Sequence, residues 1–167
     1  MVTTLFLLLV LSILTSVSIK GATSSEQISS QSRQRVLAQQ AAEAALRYCE
    51  GQVQAFRAGR APSITPEAFV VGVEPKWKTM GNWDVVNPAS TPGLTVVPLT
   101  AFGDAAGASP VTYFHRPPEC MAQYVALADT QRVVITARGF GPEVSSTRTA
   151  TAPVGTEVWL QSVITML

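Results

Sequence analysis

Charge is scarce in this chain and evenly split. Aspartate, glutamate, lysine and arginine make up 14% of the 167 residues, and the formal net charge is +1. No broad basic field therefore exists to draw in DNA or RNA, and nucleic acid is not an expected partner. Cysteine and histidine are rarer still: Cys49, Cys120 and His115 are the whole set. With no C-x-x-C pair and no histidine cluster, neither a metal site nor a cofactor is expected. The patterns of catalysis are missing as well. His115, in YFHRPPEC, has no nucleophile or carboxylate tied to it by spacing. Ser145 and Ser146 are not framed by G-x-S-x-G. Gly139-Phe140-Gly141 follows a strand pattern without opening a helix, so it is not a phosphate cradle. The chain is not expected to be an enzyme.

A different absence marks the start. Residues 1–19, MVTTLFLLLVLSILTSVSI, carry no charge at all. An apolar run of about 18 residues reaches roughly 27 Å as a helix, close to the thickness of a bilayer's hydrocarbon core. It has no basic region ahead of it, as a secretory signal would. A permanent single-pass span is therefore expected over 1–19. Small residues at Ser16 and Ser18 keep the alternative open, a signal cut near Ser18 that releases a soluble secreted protein.

Proline is missing from residues 20–58, and the only glycines there are Gly21 and Gly51. Glutamine, alanine, arginine and glutamate dominate instead, so the helix is expected to continue to residue 58. Gly21 and the Ser/Thr-rich residues 23–32 are its weakest part. Ala38, Ala42, Ala45, Cys49 and Phe56 fall on one face, with Val53 beside them. This narrow stripe of small side chains suits close packing against another layer.

After Gly59 the composition changes to prolines separated by β-branched clusters, which reads as strands and loops. The clearest strands are 123–128 (QYVALA), 132–138 (RVVITAR) and 157–165 (EVWLQSVIT); 69–73 and 94–98 are shorter candidates. Asp129-Thr130 suits a tight hairpin turn. RVVITAR alternates as a strand with one buried and one wet face does. The expected fold is α+β: a long N-terminal spine helix whose amphipathic half, residues 20–58, covers a small antiparallel sheet in a head formed by 59–167. Cys49 lies on the helix stripe and Cys120 just before the first clear strand. A disulfide is the expected state if the head lies outside the cytosol; two separate buried thiols are the alternative. Trp77 and Trp83, in PKWKTMGNWDV with Lys76 and Lys78, either anchor an irregular loop on the sheet or offer an adhesive surface to a sugar or a partner.

An apolar start, a helix through QQAAEAALRYCEG, and a strand-rich head closing on ITARGFG and WLQSV together resemble the PilX group of type IV pilus minor pilins. The resemblance implies an inner-membrane subunit with its head in the periplasm, later carried to the pilus at the cell surface. It implies other pilins as partners through the N-terminal helix, together with inner-membrane assembly machinery and membrane lipid before assembly. Prepilins begin with a short basic leader ending in glycine, and none stands before Met1 in this sequence. Major pilins have a glutamate early in the apolar run, whereas residues 1–19 have none. That difference suits a subunit used sparingly, at the tip or in a priming complex. An adhesive binding module displayed on the pilus is the competing expectation.

Overall fold

The computed structural model describes residues 2–61, 64–102, 114–127 and 130–166, with the side chains of 14–24, 99, 102, 126–127, 130–131 and 166 outside that description. One helix, α1, runs Val2–Arg57. Among the described residues four strands follow, β1 Leu94–Val96, β2 Glu119–Leu127, β3 Thr130–Phe140 and β4 Glu157–Met166. By contact density the chain divides into two compact units, Met1–Gln34 and Arg35–Leu167.

The first unit is helix alone. Helical hydrogen bonding passes through Gly21 and the Ser/Thr-rich stretch without a break, because glycine costs a helix only about 1 kcal/mol relative to alanine and leaves its donors in place. Val2, Leu5, Phe6, Leu7, Leu8, Leu9 and Ile13 are each more than half exposed. The expected membrane span finds no support. Among the described residues no helix is long and apolar enough to cross a membrane. Positions 14–19 of the expected span lie outside the described side chains.

The second unit is a helix-covered antiparallel sheet in the order β1-β2-β3-β4. Pairing is regular: Cys120 opposes Ala137, and Ala137 in turn opposes Leu160. Leu127 opposes Thr130, so Thr130 of the expected turn is instead the first residue of β3; Asp129 lies outside the described residues. The strand expected at 123–128 begins earlier, at Glu119, where β1 pairs with it. Residues 69–73 are not a strand. They hold a turn closed by Val73 N donating to Val70 O at 3.2 Å, with Gly72 at φ 81°, a left-handed conformation that interrupts extended pairing.

Helix and sheet meet over the C-terminal part of α1. Ala45, Cys49 and Val53 form one cluster with Ile64, Val97, Cys120, Ala122, Val133, Ile135 and Ala137. Ala38, Ala41 and Ala42 are equally buried. They sit where β3 presents Gly139: a Cβ on Gly139 would fall 2.8 Å from Ala42 Cα and nearer still to Ala42 N and Ala38 O. Alanine on one side and glycine on the other let the two backbones touch. Phe56 shares the face but is only half-buried, because it stands in the final turn. There the helix closes with a left-handed Gly59 (φ 69°) and Arg60 N donating to Ala55 O at 3.0 Å, the glycine-ended arrangement common at helix C-termini.

The other face of the sheet is not wet, contrary to the alternation read from RVVITAR. Val134, Thr136 and Arg138 are 8%, 5% and 1% exposed. The irregular segment between α1 and β1 covers them. Gln123 of β2 pins that segment: its Oε1 accepts from Lys76 N at 2.9 Å, and Glu67 N donates to Ala122 O at 2.8 Å. Because the described residues of this cover hold no helix or strand longer than a 3-10 turn, it carries no readable periodicity.

Candidate functional site

Cys49 and Cys120 are joined in a disulfide, with Cα atoms 6.6 Å apart, closing a sequence separation of 71 residues. The sulfurs lie between α1 and β2 in the middle of the helix-side core. Beside them Ser162 Oγ of β4 donates to Glu50 Oε1 at 2.5 Å. Ala38 and Ala42 make the close approach to Gly139, Ala45 lies in the cluster around the disulfide, and Phe56 is half-buried in the last turn of α1.

On the opposite face the three tryptophans part company. Trp83 is fully buried, so it offers no surface to a ligand. Its ring meets Trp159 edge-on at a centroid distance of 4.8 Å, and its Nε1 donates to the carbonyl of Trp77 at 3.0 Å. The reason is local: two successive 3-10 turns, Lys76–Lys78 and Met80–Asn82, fold the chain back so that residue 83 drops onto the sheet. Trp77 stays half-buried at the edge of this layer, with Lys78 Nζ 5.3 Å from its ring.

A charged cluster that the sequence did not reveal surrounds these rings. Arg138 of β3 donates from Nη1 to Asp84 Oδ1 at 2.8 Å and from Nη2 to Glu157 Oε2 at 2.6 Å. Its guanidinium also stacks on Trp159 and Phe140, at 4.7 and 5.0 Å. Across the strand pair Glu119 accepts from Arg116 Nε at 3.0 Å. Arg148 Nη2 approaches the same carboxylate oxygen at 2.6 Å, as an ion pair not aligned for a hydrogen bond. Burial pushes the Glu119 carboxyl above its ordinary value, against the pull of Arg116, Arg148 and Arg138. Three arginines thus face three carboxylates in a nearly dry layer, and the balance of charge is what makes that burial tolerable. Reading Arg138 as the solvent side of an alternating strand concealed it. The available signal was the aromatic next door, Phe140, and Trp159 directly opposite on β4.

No nucleophile, base and orienting group converge in this layer, and among the described residues no group of three or more metal-binding side chains occurs. His115 is exposed in the turn before β2, and Ser145 and Ser146 are exposed in the loop between β3 and β4.

Comparison with known proteins finds one family. Residues 1–47 match the model of the PilX N-terminal family. The closing ITARGFG and WLQSV motifs lie beyond the matched segment. No curated protein and no solved structure matches the chain. The matched segment points to a type IV pilus-related subunit and to a pilus-associated place in the cell envelope. Over residues 1–47 the chain is similar to the N-terminal segment of PilX-type type IV pilins.

Proposed function

We propose that this chain is a minor pilin, a subunit used sparingly in type IV pilus assembly, at the tip or in a priming complex. One observation supports it above the rest: near its start, over residues 5–11, α1 is apolar all round. Leu5, Phe6, Leu7, Leu8 and Leu9 follow one another at about 100° steps around an α-helix, and each is more than half exposed. A helix of that kind is stable only in non-aqueous surroundings. A bundle of other pilins' helices supplies them in the fibre, and lipid supplies them before assembly. Inner-membrane assembly machinery would carry the subunit from one to the other. Exchange between two apolar settings costs little free energy and requires no covalent chemistry. The head adds rigidity through its disulfide and its layered core.

The test is co-purification of the full chain with sheared pili from a host that assembles them. The chain is expected in the pilus fraction at low abundance, and a Leu7→Glu, Leu8→Glu double variant is expected to be missing from it. Recovery of the parent chain from neither pili nor the envelope fraction would refute the proposal.

A further inference from the structure

The sheet face away from α1 carries a cavity of about 510 Å³, lined by Trp77, Trp159, Glu74, Lys78, Thr136 and Gln161 among others. Its size falls within the range of small-molecule sites, about 300–1,000 Å³. We infer that this cavity is a binding site for a neutral saccharide, a function separate from assembly.

The lining argues for that ligand class. Trp77 comes from the 3-10 turn Lys76–Lys78 and Trp159 from β4, so two indoles from distant parts of the chain line one opening. Indole faces are electron-rich and attract the weakly positive C–H face of a sugar ring. Around them stand hydroxyl, amide, carboxylate and ammonium groups, donors and acceptors suited to a ring of hydroxyls. Gln161 Nε2 already donates to Thr136 Oγ1 at 2.9 Å, which holds the amide in one orientation. The indole N–H of Trp77 is buried with no hydrogen-bond partner among the described residues. Glu74 and Lys78 contribute one charge of each sign, so the lining favours neither an anion nor a cation. Trp159 is itself held in place, by Arg138 on its ring and by Glu157, whose Oε1 accepts from Trp159 Nε1 at 3.2 Å. A site with one fixed wall and a few oriented polar groups is pre-formed, which lowers the ordering cost of binding.

The experiment uses the full chain in detergent and ligand-observed NMR with lactose, maltose, cellobiose and chitobiose, with sialyllactose as the charged comparison. At least one neutral disaccharide is expected to bind saturably. Trp77→Ala is expected to weaken that binding by about tenfold or more through loss of an aromatic wall. Gln161→Ala, at an exposed strand position that leaves the core intact, is expected to weaken it as well, and it serves as the readout if the tryptophan variant does not fold. Binding of none of the four neutral sugars, binding unchanged in both variants, preference for sialyllactose, or binding of a phenylalanine-centred hexapeptide in their place would each overturn the inference.

Discussion

Gly139 of β3 lies directly beneath Ala42 of α1, with room for a hydrogen between them and no room for a methyl group. The obstacle is helix backbone, which cannot swing aside as a side chain can. Gly139→Ala is therefore expected to push helix and sheet apart. The cost should be about 1–3 kcal/mol, the usual range for overfilling a packed core. A lower urea midpoint with an unchanged m-value would show it, and an unchanged midpoint would mean that the layers are not in contact here.

The disulfide should dominate the stability of the head. Closing a loop of 71 residues restricts the unfolded chain by roughly 4 kcal/mol on the chain-entropy model, less any strain in the native state. Mass analysis of the intact, non-reduced protein should find the chain two hydrogens lighter than its reduced form. Cys49→Ser, Cys120→Ser should melt well below the parent, and adding reductant to the parent should reproduce that shift.

Arg138 holds two carboxylates at once, Asp84 and Glu157. Arg138→Met keeps much of the length and removes the charge, stranding Asp84 in a buried layer. A loss of about 3–5 kcal/mol is expected, the range for breaking a buried ion pair from one side. Near-ultraviolet circular dichroism should change together with stability, since Trp159 loses the cation stacked on it.

Acid should weaken the loop between β3 and β4 by a defined route. Burial acts to raise the Glu143 carboxyl, but hydrogen bonds from Thr156 outweigh it and hold the group below its ordinary value. A group with a depressed folded pKa stabilises fully above its unfolded pKa, and that contribution is lost as pH falls through the folded value. The parent's melting temperature should therefore fall on the acid side, from the ordinary glutamate range downward. Glu143→Gln should start lower at neutral pH and show a shallower acid decline; parallel curves would exclude the effect.

Local pattern was enough for the elements built from repeating side-chain rules. The alanine run and the β-branched alternation of β3 each repeat a period, and each marked its element. Cys49 could be set against the sheet because both elements carried that periodic mark. The cover on the second face had none. Trp77 and Trp83 differ in burial because of two short 3-10 turns, and turns of that length leave no periodic trace. Arg138 misled for a related reason: alternation reports which face a residue takes, and it cannot say whether a distant segment will later cover that face. Ala41 was missed because the stripe was drawn at three- and four-residue steps from Ala38, whereas close backbone approach buries a wider arc of a helix whose side chains are small.

The covalent bridge at Cys49 has a mechanical consequence. A pull entering the head along α1 from its N-terminal side meets the alanine contacts first. At Cys49 it passes through sulfur into β2, whose Cys120 is hydrogen-bonded into a ladder with β1 on one flank and β3 on the other. Tension can peel residues 38–45, but sliding the remaining turns over the sheet would require rupture of a covalent bond, and the last two turns of the helix carry no load.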